Sequence, residues 1–136
     1  YFISLIFILF HHENLLAKNN YFEEAEKLFY EKKYEKSQFK FEKDIVFNPK
    51  NEKSYLYLAK IFKEKKNDIM EEQNLETVIL LNPQNEEALY LLALFKIKKS
   101  DFKESEALIA TFNKVCKKLC NKELELKNKL KNLQPE

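Results

Sequence analysis

The chain contains no glycine, no arginine and no tryptophan among its 136 residues, and it has only two cysteines and two histidines. The lack of glycine excludes the usual phosphate-binding loops and the Gly-x-Ser-x-Gly elbow of serine hydrolases. The histidines, His11 and His12, are adjacent, so they do not share a helix face as metal ligands four residues apart do. We therefore expect no catalytic residues, no cofactor and no metal ion, and the sequence predicts that the protein is not an enzyme.

The charges are balanced. All 24 basic residues are lysine, 22 residues are acidic, and the two signs alternate along the chain to give a net charge of +2. A nucleic-acid-binding surface is expected to show a basic stripe, often with arginine for bidentate contacts. The sequence shows neither feature, so we expect no nucleic-acid partner.

Residues 1–17 form an apolar N-terminal segment that begins YFISLIFILF. Ten apolar residues are too few to span a bilayer, which takes about 20 residues in a helix. The segment is typical of the apolar part of a signal peptide, with a cleavage site after Ala17. This interpretation favours an exported, periplasmic or envelope-associated protein, with membrane contact only through this segment. The alternative is an extra buried helix.

Two Asn-Pro-x-Asn motifs, at residues 48–51 and 82–85, lie 34 residues apart. Each proline ends a helix because it lacks an N–H and its ring clashes with the preceding turn. The second asparagine of each motif is expected to cap the helix that follows. A fixed period of this length indicates stacked helical hairpins.

Apolar residues between the motifs recur at spacings of three and four, which predicts helices over residues 20–32, 34–47, 51–65, 68–81, 85–99 and 101–119. Two sets of inward positions share the 34-residue period: Ala25, Ala59 and Ala93, and Phe41, Leu75 and Ile109. A small side chain on the first helix of each pair lets the second helix approach closely, and a large side chain on the second helix fills the space beside it.

The residues that carry the pattern are the openers Tyr21, Tyr55 and Leu89, the three alanines, Tyr34 and Phe102, Ser37 and Ser105, and Pro49 and Pro83. On these residues the chain resembles the tetratricopeptide repeat (TPR) family over residues 18–119. The resemblance implies an all-α, right-handed α-solenoid of three helix pairs, at about 18–51, 52–85 and 86–119. The amphipathic residues 120–136 are expected to form a C-terminal capping helix and tail, with a basic membrane-surface helix as the weaker alternative.

The chain departs from the family pattern in several places. The family often has glycine in the turn within a repeat, whereas this chain has Lys32-Lys33, Lys65-Lys66 and Lys99-Ser100. The middle repeat has Asp68 and Glu71 where the others have an aromatic residue and a serine, and Lys96 lies where an aromatic residue is usual. The lysines at the ends of the first helices, Lys96 among them, are predicted to form a solvated face that complements the helix dipoles.

The cysteines, Cys116 and Cys120, lie at the end of the sixth predicted helix. Their spacing places them on the same face as Phe112, Val115 and Leu119, so we expect both to be buried core residues. A redox pair or half of a metal site are the alternatives.

First helices line the concave side of such a solenoid, and the resemblance implies a partner-binding groove there. We define the groove by the matching residues: Phe22, Glu26, Phe29, Tyr30, Leu56, Tyr57, Lys60, Lys63, Tyr90, Leu91, Leu94 and Ile97. The family subtype that clamps acidic chaperone tails is not expected, because Glu26 and Glu87 lie at clamp positions and repel such a tail.

The predicted function is therefore non-catalytic protein–protein interaction, as a scaffold or assembly factor that binds an apolar segment of a protein or peptide partner in an aromatic and aliphatic groove. Two alternatives remain open: a homo-oligomeric structural module, and the docking or regulatory portion of a longer enzyme.

Overall fold

The computed structural model describes residues 20–133, and within that range the chain consists of helices and turns, with no strand. The α-helices are α1 Tyr21–Tyr30, α2 Tyr34–Phe47, α3 Glu52–Glu64, α4 Asp68–Leu81, α5 Glu86–Lys98, α6 Phe102–Val115 and α7 Glu123–Leu133, with a short 3-10 helix at Cys120–Lys122. Among the described residues, no helix combines the length and apolar character that crossing a membrane requires. The predicted signal peptide, residues 1–17, lies outside the described range.

The helices pack as three hairpins in chain order: α1 with α2, α3 with α4, and α5 with α6. The first helices of the second and third hairpins, α3 and α5, also contact the hairpin before them, so the pairs stack side by side as an α-solenoid. The predicted packing positions are confirmed. Ala25, Ala59 and Ala93 are at most 1% exposed, and Phe41, Leu75 and Ile109 at most 5%.

A serine hydroxyl supports the close approach within the first hairpin. Ser37 on α2 is fully buried, and its Oγ donates a hydrogen bond to the carbonyl oxygen of Ala25 on α1 at 2.8 Å. The equivalent Ser105 on α6 is also buried and donates to the carbonyl of Phe102. The middle hairpin has Glu71 at this position, and that side chain is 6% exposed.

Each hairpin turns through a residue with left-handed backbone geometry. Lys32, Lys66 and Ser100 have φ of 59°, 56° and 61°. In the first turn the Lys32 N–H donates to the Phe29 carbonyl and the Lys33 N–H donates to the Leu28 carbonyl, which is a Schellman motif. The other two turns repeat both bonds, so the chain adopts the geometry that glycine favours without using glycine.

The two Asn-Pro-x-Asn turns are held differently. In the second turn Asn85 caps α5 as predicted, because its side chain accepts a hydrogen bond from the Ala88 N–H. The prediction that Asn51 caps α3 is wrong. Its Nδ2 instead donates to the buried carboxylate of Asp44 at 2.7 Å, and that carboxylate also accepts from Asn48 Nδ2 and from Ser54 Oγ.

Glutamates at equivalent positions of α3 and α5 hold the chain that leaves the hairpin. Glu52 accepts from the side-chain amides of Asn82 and Asn85. Glu86, 34 residues later, accepts from the backbone N–H groups of residues 117, 118 and 119 at 2.8–3.0 Å. These bonds hold the pKa of the Glu86 carboxyl below its ordinary value.

The sixth helix is shorter than predicted, and the prediction that the cysteines form a buried helical face is wrong. Helix α6 ends at Val115 because the N–H groups that follow are turned toward Glu86 instead of continuing the helix. Cys116 is half-buried, Cys120 is exposed, and the two form a disulfide.

The prediction that Lys96 belongs to a solvated face is also wrong. This residue is 7% exposed between α4, α5 and α6. Its Nζ lies 2.5 Å from Glu72, 2.8 Å from Glu104 and 3.8 Å from Glu76. Burial acts to lower the pKa of Lys96, but the hydrogen bonds to Glu104 and Glu72 outweigh it and raise that pKa. Lys96 and the three carboxylates around it thus occupy the place where the repeat pattern usually has an aromatic residue.

Helix α7 lies against α5 and α6 at the end of the third hairpin. Leu126 is fully buried and packs with Leu89 and Phe112, while Leu124 and Leu133 are exposed. Leu126, together with the partly buried Leu130, thus shields the last hairpin, while charged side chains face outward.

Candidate functional site

The twelve groove residues lie on the first helices α1, α3 and α5, and the structure divides them into surface and core. Leu56 and Ile97 are buried, at 7% and 2% exposure, and serve helix packing. Tyr30 is the most open of the aromatic residues, at 70% exposure, and Lys63 is also exposed. The remaining eight are half-buried: Phe22, Glu26, Phe29, Tyr57, Lys60, Tyr90, Leu91 and Leu94.

Tyr57 is the centre of an aromatic cluster that joins the first two hairpins. Its ring stacks on Phe41 with centroids 5.0 Å apart and meets Phe29 edge to face at 5.0 Å. Phe22 and Tyr30 also contact the Tyr57 ring edge to face. The cluster is therefore both part of the packing between hairpins and part of the groove surface.

Hydrogen bonds fix the polar edge of this cluster. The Tyr57 hydroxyl donates to Glu26 Oε1 at 2.6 Å, so the Tyr30 hydroxyl, 2.9 Å away, is the donor in the bond between the two tyrosines. Burial, followed by these bonds to Glu26 and Tyr30, raises the pKa of Tyr57 above its ordinary value. Glu26 is thus the final acceptor of a chain of hydrogen bonds that runs from Tyr30 through Tyr57.

An ion pair joins α3 and α5, the first helices of the second and third hairpins. Lys60 Nζ on α3 lies 2.7 Å from Glu87 Oε1 on α5 and 5.0 Å from the centroid of the Tyr57 ring. Glu26 and Glu87, the two acidic residues at the family's clamp positions, thus engage Tyr57 and Lys60 of this chain.

Two cavities open beside the groove residues, with volumes of about 220 Å³ and about 420 Å³. Lys63, Glu71 and Leu91 line both of them. The groove residues that line at least one cavity are Phe29, Lys60, Lys63, Leu91, Leu94 and Ile97. Apolar side chains form most of the walls of these cavities, and lysine and glutamate side chains complete the lining.

Helix α7 covers part of the groove surface that the third hairpin provides. The Tyr90 hydroxyl donates to Glu125 Oε1 of α7 at 3.1 Å, and burial together with this bond raises the pKa of Tyr90. Lys129 and Leu133 of α7 line the larger cavity. Tyr90 is thus engaged within the chain, whereas Leu91 and Leu94 beside it face the cavities.

The sequence prediction of the site did not include Glu71, Lys98, Lys129 or Leu133. Glu71 belongs to a second helix, and it reaches the cavities because it occupies a position where the other hairpins have a short serine. Burial raises the pKa of the Glu71 carboxyl, against the opposing effect of Lys63 and Lys98. The signal for Glu71 was its departure from the repeat pattern. The α7 residues had no such signal, because they lie outside the 34-residue period.

In comparisons with known proteins, no family model and no curated protein matches this chain. A solved structure does match: the crystal structure of the Sgt2 TPR domain from Aspergillus fumigatus superposes with a TM-score of 0.71 and covers 89% of this chain and 86% of that one. The two sequences are 15% identical, so the likeness shows the fold. It gives no support to the predicted signal peptide. With three hairpins in 34-residue register, the chain has the fold of a tetratricopeptide repeat domain.

Proposed function

We propose that the protein is a non-catalytic protein–protein interaction module that binds an apolar segment of a protein partner along the groove. The fold is one that typically serves as an interaction scaffold. The observation that carries the proposal is the exposed Tyr30 beside the half-buried Phe29 and Tyr57, continued by Leu91 and Leu94 at the two cavities. Aromatic side chains provide large contact area with little loss of conformational entropy, and they often dominate interfaces.

The charges at the groove favour an apolar partner segment over a strongly charged one. Glu26 accepts from Tyr57, and Glu87 pairs with Lys60, so each of these charges already has a partner within the chain. A charged partner residue gains little from groups that are already paired and loses its own hydration. An apolar helix or extended segment instead covers ring and leucine surface without breaking these pairs.

The experiment compares the groove with another apolar surface of the same protein. Tyr30→Ala with Leu91→Gln removes groove surface. The matched control, Val46→Ala with Leu80→Gln, changes residues of α2 and α4 that are 74% and 81% exposed and do not belong to the groove. We leave Tyr57 unchanged because it stacks on the buried Phe41, so truncating it also disturbs the core.

The protein and both variants are immobilised, and the proteins that each captures from a cell lysate are quantified by mass spectrometry. We expect the groove variant to lose at least about 10-fold of its specific capture, which corresponds to 1.4 kcal/mol, while the control variant captures as the wild type does. Equal capture by the groove variant and the wild type contradicts the proposal. Light scattering on the free protein tests the homo-oligomer alternative, which requires a dimer that the groove variant disrupts.

A further inference from the structure

The turn after α6 is closed by the disulfide between Cys116 and Cys120, which are four residues apart in sequence. Cys120 is exposed and Cys116 is half-buried. The exposed position of Cys120 makes its sulfur the one that an external thiol reaches, because thiol–disulfide exchange requires direct attack on a sulfur atom.

The same turn is attached to the third hairpin through Glu86. That carboxylate, in the first turn of α5, accepts the backbone N–H groups of Lys117, Lys118 and Leu119. The turn lies between the disulfide-bonded residues, so the cross-link holds these three N–H groups in the arrangement that Glu86 binds. The Leu119 side chain packs against the third hairpin's core at the same point.

Helix α7 follows directly from this turn through the 3-10 helix Cys120–Lys122. It is held by the buried Leu126 and the partly buried Leu130, and by hydrogen bonds from Tyr90 to Glu125 and from Asn113 to Glu123. Its last two turns supply Lys129 and Leu133 to the larger cavity. Two apolar side chains and two hydrogen bonds are a small attachment for a helix, so the geometry of the preceding turn contributes to how firmly α7 is held.

We propose that the Cys116–Cys120 disulfide is a thiol–disulfide exchange site for dithiol reductants, and that its redox state sets how firmly α7 is held on the third hairpin. One thiolate of the dithiol attacks Cys120 Sγ, the bond between the two cysteine sulfurs breaks, and Cys116 leaves as a thiolate that takes a proton. The second thiol of the reductant then attacks the mixed disulfide. This releases Cys120 as a thiol and leaves the reductant as its disulfide, so two electrons pass to the cysteine pair.

Reduction removes a constraint on the open state of α7. While the disulfide is intact, the chain from Cys116 to Cys120 stays folded into a ring even when α7 detaches, so the open state gains little freedom. Closing a ring of about five residues restricts the open state by a factor of about 30 in the chain-entropy treatment. Reduction is therefore expected to raise the open fraction of α7 by about 30-fold. Opening uncovers the apolar surface around Phe112 and removes Lys129 and Leu133 from the cavity.

Hydrogen exchange measured by mass spectrometry on the whole chain tests this inference. The protein is first equilibrated with glutathione disulfide, then half of it is reduced with dithiothreitol, and the thiols are counted by alkylation in each half. Backbone amides of α7, Glu123–Leu133, are expected to exchange about 30-fold faster in the reduced half. The amides of α3, Glu52–Glu64, are the internal reference and are expected to keep their rates.

The double variant Cys116→Ser with Cys120→Ser is the matched control, and it is expected to exchange as the reduced wild type does, with or without dithiothreitol. The inference is overturned if the protein keeps two free thiols at equilibrium with glutathione disulfide. It is also overturned if α7 exchange changes by less than about threefold on reduction, or if α3 accelerates as much as α7, since the effect is then global and not a hold on α7. Re-oxidation is expected to restore the original α7 rates.

Discussion

Replacing Lys66 with glycine is expected to stabilise the protein. Lys66 has a φ of 56° in the Schellman motif after α3, and neither its side chain nor that of Lys32 forms a hydrogen bond or ion pair in the described structure. A residue with a Cβ in this left-handed region costs about 1–2 kcal/mol relative to glycine. Glycine also makes the unfolded chain more flexible, which offsets roughly 0.4–1 kcal/mol. The net gain expected for Lys66→Gly is about 0.5–1 kcal/mol.

The control is Lys66→Ala, which removes the same charged side chain but keeps the Cβ and therefore the steric cost. Thermal unfolding followed by circular dichroism is expected to rank glycine above alanine, with a difference in midpoint temperature of roughly 2–6 °C per kcal/mol for a domain of this size. Lys32 and Ser100 have the same geometry in the other hairpins. The three glycine substitutions are expected to add to about 1.5–3 kcal/mol, because the turns lie in different repeats.

Two results refute this reasoning. If Lys66→Gly is no more stable than Lys66→Ala, the turn does not carry the left-handed strain. If only one of the three turns responds, the hairpins are not equivalent, and the repeat description of the fold fails at the other two.

Three further substitutions test buried polar groups by urea unfolding. Asp44→Val, which copies Val78 of the next repeat, is expected to cost about 1–3 kcal/mol because Ser54 loses its acceptor. Adding Ser54→Ala is expected to recover most of that loss, and no recovery contradicts the coupling. Glu71→Gln is expected to stabilise at pH 7. Burial raises the pKa of Glu71, so the wild type gains stability as the pH falls through that raised pKa, and the advantage of the variant shrinks by pH 4; an advantage that is constant with pH excludes this cause. Lys96→Met is expected to cost about 1–3 kcal/mol at pH 7, discounted for the partly exposed carboxylates around it. The loss is expected to be smaller in high salt, which screens the ion pairs with these partly exposed carboxylates, and an equal loss at low and high salt points to packing instead of charge.

The period of the sequence was sufficient for the fold because packing in a solenoid involves neighbouring hairpins only. The alanines at 25, 59 and 93 were predictable from spacing alone, since a hairpin cannot close on a large side chain at that position. The hairpin turns were located correctly as well. The left-handed geometry of these turns was not predicted, because it is usually inferred from glycine and the turns have Lys32, Lys66 and Ser100 instead.

The failures lie where one side chain reaches another across the repeats. The sequence predicts Lys96 in solvent because the carboxylates that surround it come from two other helices, α4 and α6, and their convergence depends on the packing. The end of α6 was placed too late because Glu86, 31 residues before Lys117, captures the N–H groups that follow the helix. The repeat contained a clue to this second point, since Glu52 occupies the same place one period earlier.

The first helices of the hairpins agree with the sequence prediction, but the depth of the predicted groove residues does not follow from it. Leu56 is buried in a cluster that α3, α4 and α5 share, and Ile97 is buried in a cluster of α5, α6 and α7. Tyr90 forms a hydrogen bond to Glu125 because α7 lies next to α5, the first helix of the third hairpin. Depth depends on how neighbouring hairpins and the capping helix meet, and helical spacing within one hairpin does not encode it.

Site-specific photo-crosslinking tests most directly whether the groove is the surface that binds a partner. Benzoylphenylalanine is placed at position 30, in the groove, and in a second preparation at position 46, where Val46 is 74% exposed on α2. The account predicts a protein crosslink from position 30 that disappears in the Leu91→Gln background, and none from position 46. A crosslink from position 46 with none from position 30 contradicts it.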